Sequence, residues 1–239
     1  MKKTILLSLA TAATLTATAQ KGPRDNDGFT NLKPKACNVT AEFGLAGGII
    51  NSDFKLNEGN SGLLRGRYFL SNNLALRLGF NLTSNGTKEN VYSGTGALGY
   101  VRENNTLFLV NLGIEHHFKG THRLSPYVGG DILIGVNSFN RTLENTNGTT
   151  FVNNFNQEVK GPNSLSFGIR GVFGADYYIS KNLYLGAEAG LGFTSTTAGE
   201  TTITTTIGGA TTTNNFKSTG TSFNFSPTVV TGVRIGFVF

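Results

Sequence analysis

"YYISKNLYLGAEAGLGF", residues 177 to 193, holds an aromatic-ended run, a polar turn and a second run in which every other residue is apolar. Strand side chains alternate between faces with period two. Leu183, Leu185, Ala187, Ala189, Leu191 and Phe193 therefore share one face, and Tyr184, Gly186, Glu188, Gly190 and Gly192 the other. A soluble sheet turns its apolar face inward and shows water a polar one. Here the water side would be mostly glycine around one carboxylate, which is a poor hydrated surface. Inside and outside must be assigned from the rest of the chain.

Eight segments carry the same alternation, and none repeats with a helical period. They lie near 39 to 49, 62 to 70, 74 to 83, 106 to 118, 125 to 136, 164 to 178, 183 to 193 and 223 to 239. Each matches or exceeds the about nine to eleven residues that a tilted strand needs to cross a bilayer. Their connections alternate in length. "SNN" at 71 to 73, "KGTHR" at 119 to 123 and "SKN" at 180 to 182 are tight, whereas 50 to 61, 84 to 105, 137 to 163 and 194 to 222 are long and polar. Long loops at one end and short turns at the other are the habit of a membrane barrel. The three tight turns form a weak internal repeat, in which one hairpin unit is reused around a closed sheet.

Charge placement separates the two faces. Within the strands Glu42, Arg65, Arg67, Arg77, Glu115, Asp131, Arg170, Asp176, Glu188 and Arg234 all take the parity opposite to the apolar face. Five carboxylates stand against five arginines. In water that face would carry flexible lysines and few glycines, but here the cation is Arg, the residue suited to bidentate, desolvated pairs. The apolar face is expected to meet lipid and the charged face to fill the interior, with Arg77 paired to Glu115 and Glu188 to Arg234. Phe80, Phe108, Phe167, Phe193 and Phe225 would form one aromatic belt beside the long loops. Tyr68, Phe118, Tyr177 and Phe239 would form the other.

Bulk properties agree with strands that cross a membrane. Only 14% of the 239 residues are charged and 38% are hydrophobic, with mean hydropathy close to zero. Residues 1 to 19, with Lys2 and Lys3, a short apolar core and Ala17-Thr18-Ala19, predict a cleaved secretory signal; a retained anchor is the alternative. Residues 20 to 38 then form a periplasmic leader and 39 to 239 the barrel. The lone Cys37 has no internal partner for a disulfide. A net charge of +6, without a basic cluster, argues against nucleic acid as a partner.

The motifs "YFLSNNLALRLGF" and "YYISKNLYLGAEAGLGF" and the terminal "VRIGFVF" resemble the small outer-membrane β-barrel or porin-like family of Gram-negative bacteria, related in architecture to OmpA and OmpX. The resemblance spans about 39 to 239 and implies an all-β, eight-stranded, antiparallel up-and-down transmembrane β-barrel in the cell outer membrane. It implies outer-membrane lipids including lipopolysaccharide as surroundings, and a final aromatic, Phe239, that serves as a signal to the barrel assembly machinery. No cofactor is expected. No peptidoglycan-binding domain is expected after the last strand.

Function is less legible. An enzyme needs a nucleophile or base where substrate arrives, but His116, His117 and His122 crowd one short turn and are expected to be interface and turn residues. No catalytic residue and no metal site are assigned. The expectation is a non-enzymatic barrel whose interior charges pair and close it, serving membrane integrity or surface interaction. The alternative is a narrow porin-like channel for small solutes or ions. Loop 194 to 222, rich in Thr with Gly208 and Gly209 at its centre, either prolongs the last two hairpin strands and offers an edge to an extracellular protein, or is a low-complexity coil. A soluble barrel, with the leucine face around a ligand, is a more distant alternative.

Overall fold

The structure, a computed structural model, describes residues 31–44, 64–217 and 220–239. The expected signal at 1 to 19, most of the leader and the first long loop lie outside the described residues. Eleven strands are formed among those described. They are β1 (Val39–Gly44), β2 (Leu64–Phe69), β3 (Leu74–Tyr92), β4 (Leu98–His117), β5 (Leu124–Thr146), β6 (Phe151–Lys160), β7 (Ser164–Tyr178), β8 (Leu183–Ala198), β9 (Thr201–Ile207), β10 (Ala210–Phe216) and β11 (Thr221–Val238).

Eight of them close a ring. In order β1-β2-β3-β4-β5-β7-β8-β11, each is antiparallel to the next, and β11 returns to β1 with Thr40 opposite Val238 and Gly44 opposite Arg234. Closure is what a sheet in hydrocarbon requires, since an open edge would leave backbone groups unpaired. These eight correspond to the eight alternating segments.

The tight turns share one device. Ser71 Oγ accepts from the Leu74 amide at 3.1 Å, Thr121 Oγ1 from the Leu124 amide at 3.0 Å, and Ser180 Oγ from the Asn182 amide at 3.3 Å. A hydroxyl that satisfies a turn amide is a local interaction, so the three turns look alike in sequence.

The long connections differ from the loops expected at 84 to 105 and 137 to 163. They are strand: β3 and β4 stay paired from Ser84–Thr106 up to Tyr92–Leu98, and β4 and β5 up to Tyr100–Glu144. Above the membrane these strands carry few apolar residues, the buried Val101 and Leu143 among them, so no sustained period-two hydrophobic signal marks them, and their Thr and Asn resemble loop composition.

β6 folds back on β5, and β9 adds to β6 with Phe155 opposite Ile207. β9 and β10 form a hairpin around Gly208 and Gly209, whose φ values of 55° and 88° suit a two-residue turn. The β8–β11 ladder ends at Thr197–Thr221, so the Thr-rich segment does not simply prolong it; the hairpin swings sideways onto β6. The outcome is a six-stranded outer sheet, β10-β9-β6-β5-β4-β3, standing on one side of the barrel.

Burial follows the parity. Leu78, Leu82, Ile169 and Phe173 are 50%, 59%, 58% and 61% exposed, whereas Arg67 and Glu115 are 1% and 0%. This is the inverse of a soluble barrel, and it excludes a leucine-lined interior. Both sets of belt aromatics lie on the exposed face, as lipid interfaces require.

Candidate functional site

Every strand of the ring contributes charge to the interior. Glu42 comes from β1, Arg65 and Arg67 from β2, Arg77 from β3, Glu115 from β4, Asp131 from β5, Arg170 and Asp176 from β7, Glu188 from β8 and Arg234 from β11. All ten are buried. Arg77 and Glu115 lie 2.7 Å apart, and Arg234 and Glu188 3.2 Å. Neither couple is isolated, because closing the sheet brings non-neighbouring strands together.

Two hubs organise the network. Arg67 donates to Asp176 at 2.7 Å, Glu115 at 3.0 Å, Glu42 at 3.1 Å and the Tyr184 hydroxyl at 2.8 Å. Its guanidinium carbon also lies 5.1 Å from the Tyr184 ring and 5.7 Å from the Tyr127 ring. Glu188 accepts bidentate pairs from Arg65 at 2.9 and 3.2 Å and from Arg77 at 2.9 and 3.0 Å, and the Tyr127 hydroxyl donates to it at 2.8 Å. Arg77 reaches Asp131 at 2.8 Å, which Arg170 also holds at 2.9 Å. Each charge is thus opposed within hydrogen-bond reach. In a low dielectric that is the condition for keeping it ionised.

Glycine provides the room. A Cβ on Gly236 would enter the Tyr184 ring, and one on Gly174 would meet the Tyr127 ring. The large polar rings therefore fit only because the facing strand has no side chain there.

Three contributors were not singled out by sequence. Tyr127 and Tyr184 share the inward parity of the charges, and that periodicity is the signal that finds them. The third, His117, corrects the expectation of an interface and turn residue. It is buried, with Nε2 3.2 Å from Glu115 Oε2 and Nδ1 3.0 Å from Ser125 Oγ. Odd-numbered residues of β4 point inward, so His117 follows Glu115, while His116 points outward against Phe118.

Ser125, His117 and Glu115 have the order of an acyl-transfer relay. Their setting is different: all three are buried, and the Glu115 carboxylate also binds Arg67 and Arg77. No group of His, Cys, Asp or Glu suited to a metal is found among the described residues.

The mouth at the short-turn end has its own cover. Tyr178, Tyr184 and Val238 form an apolar cluster inside the lower rim, and Leu32 of the leader packs on it. The segment is held by the backbone, with the Leu32 amide donating to His122 at 3.3 Å and the Cys37 amide to Phe69 at 2.8 Å. Phe239 sits at the same rim, more than half exposed, with its amide donating to Val39 at 2.8 Å.

Residues 55–194 match the model of a putative OmpA-OmpF-like porin family. The solid-state NMR structure of outer membrane protein AlkL in DMPC lipid bilayers is similar at 15% identity, over 92% of this chain and 96% of that one, with a TM-score of 0.32. The crystal structure of Acinetobacter baumannii CarO is similar at 14% identity, over 85% and 97%, with a TM-score of 0.33. No curated protein matches the chain.

Proposed function

The chain belongs to the putative OmpA-OmpF-like porin family and sits in the cell outer membrane, and on that premise we propose that it is a non-enzymatic, closed barrel. Its interior is sealed by paired charges, and it serves membrane integrity or surface interaction through the outer sheet. The observation that carries this is neutralisation. Each of Arg65, Arg67, Arg77, Arg170 and Arg234 forms at least one salt bridge with the five interior carboxylates, and Leu32 packs on the apolar cluster at the lower rim. Eight strands leave an interior that side chains fill.

Surface contact falls to the outer sheet. Among the described residues β10 pairs only with β9, which leaves its other edge open to pairing, and its seven residues, ATTTNNF, carry neither charge nor Pro to blunt strand addition by an extracellular protein. Phe239, at the last strand, is assigned to recognition by the assembly machinery.

The test is single-channel recording of the refolded chain in planar bilayers. A silent wild type with openings in Glu188→Ala supports the closed barrel. Steady wild-type conductance selects the second reading, a narrow path for small solutes or ions, which the family's description as porin favours. A fluorophosphonate probe separates relay geometry from catalysis: Ser125 is expected to stay unlabelled, and its labelling in folded protein would make the barrel an enzyme.

A further inference from the structure

Charge is unevenly placed between the two ends of the barrel. The interior balances, five arginines against five carboxylates, and the long connections 50–61, 84–105, 137–163 and 194–222 together hold six cations and seven carboxylates. Residues 20–30 hold two of each. The positive excess of the chain after residue 19 therefore stands at the short-turn end, on Lys33, Lys35, Lys119, Arg123 and Lys181. Segments 31–38, 70–73, 118–123 and 179–182 contain no Asp or Glu, and among the described residues at that end the terminal carboxylate of Phe239 is the one opposing charge.

In sequence these cations are dispersed, and folding gathers them. The Leu32 amide donates to the His122 carbonyl at 3.3 Å, and the Tyr178 amide to that of Arg123 at 2.8 Å. The leader, the β4–β5 turn and the β7–β8 turn are thereby joined, with Leu32 packed on the cluster of Tyr178 and Tyr184, which flank Lys181. Lys119, Arg123 and Lys181 are exposed and Lys33 is half-buried. None of these four forms a salt bridge among the described residues. Like charges grouped without counter-charge produce a positive field that attracts a polyanion.

Position and composition narrow the partner. In barrels of this kind the short turns face the periplasm, where the inner leaflet, acidic proteins and peptidoglycan all carry negative charge. The leaflet surrounds the ring, whereas Leu32 packs inside the lower rim, so Lys33 follows it over a mouth that no bilayer crosses. A protein interface is centred on aromatic or apolar anchors, but the turns hold Lys-Gly-Thr-His-Arg at 119–123 and Ser-Lys-Asn at 180–182. Dispersed flexible cations without an anchor suit a repetitive mesh with free carboxylates on its stem peptides. We propose that this basic rim is a contact surface for peptidoglycan. The assignment deepens the membrane-integrity reading and rests on the outer-membrane location; it is independent of whether the barrel conducts.

The full chain, refolded in zwitterionic detergent, is co-sedimented with purified sacculi and with sacculi whose carboxylates have been amidated. A Lys119→Gln, Arg123→Gln, Lys181→Gln variant is expected to bind intact sacculi roughly tenfold more weakly than the wild type, and amidated sacculi should hold the wild type no better than that. A second triple variant, Lys88→Gln, Arg102→Gln, Lys160→Gln, removes as many cations from the outer sheet and should bind like the wild type. Lys181→Glu guards against misfolding: it is a single change in an exposed turn, so its thermal midpoint should match that of the wild type while binding drops. Undiminished binding by the rim variant or by Lys181→Glu, undiminished binding to amidated sacculi, or equal weakening by the outer-sheet variant overturns the proposal. So does a rim variant that keeps its sacculus binding but loses a stabilisation by phosphatidylglycerol bilayers, which would give the cations to the leaflet. Sacculus binding by a barrel that conducts steadily supports the rim contact and overturns the closed reading alone.

Discussion

Arg77 and Arg102 stand on adjacent strands of one sheet, and the fold treats them in opposite ways. Arg77, inside the ring, meets Glu115, Asp131 and Glu188 at 2.7 to 2.9 Å. Arg102, in the outer sheet, meets Lys88 across the ladder and no carboxylate among the described residues. Burial is the difference. A charge removed from water must be matched by its neighbours, whereas one in water tolerates even a like charge opposite it. The ring is therefore over-determined by electrostatics, and the outer sheet is held by backbone ladders and hydroxyl contacts such as Thr206–Thr211 at 2.9 Å.

The strongest way to break this contrast is Glu188→Ala, which leaves three arginines short of a partner. Urea unfolding of the refolded barrel should show a loss of about 3–5 kcal/mol, against no more than about 0.5 kcal/mol for Arg102→Ala. Similar losses in both would mean that the interior is hydrated and the network ornamental.

The two faces are compared by Leu78→Arg on the lipid side, with an expected cost of about 2–4 kcal/mol, beside Thr213→Arg on exposed β10, expected within about 0.5 kcal/mol. A harmless Leu78→Arg would place that face in water. Packing inside the ring is probed more gently by Gly236→Ala, which drives a methyl into Tyr184 and should cost about 1–3 kcal/mol. Its control is Gly94→Ala, where a Cβ meets nothing within 4 Å, and there the unfolding midpoint should not move.

The smallest effect is local. Gly209, at φ 88°, tolerates a β-branched side chain poorly, so Gly209→Val should speed amide exchange across residues 201 to 216 and leave the ring's unfolding unchanged. A shift of the global transition would show that the outer hairpin and the ring unfold as one unit.

How much of this could be read from the chain depends on the range of each interaction. The ring strands were legible because a lipid-facing leucine every second residue is a local pattern. The upper halves of β3, β4 and β5 were not, because they carry too few apolar residues to mark that period while keeping their ladders. His117 was legible in principle, since it shares the parity of Glu115, but its neighbours His116 and His122 made it look like part of a turn.

Sequence alone determined the number of ring strands, the face each turns to lipid and the even count of buried charges, since period-two alternation and hydroxyl-capped turns act within a few residues. Tertiary structure decided which charges meet, because barrel closure and shear set the register across the interior. It also decided where the β9–β10 hairpin docks and that Leu32 reaches the lower rim. Neither contact has a periodic signature, because each joins stretches far apart in the chain.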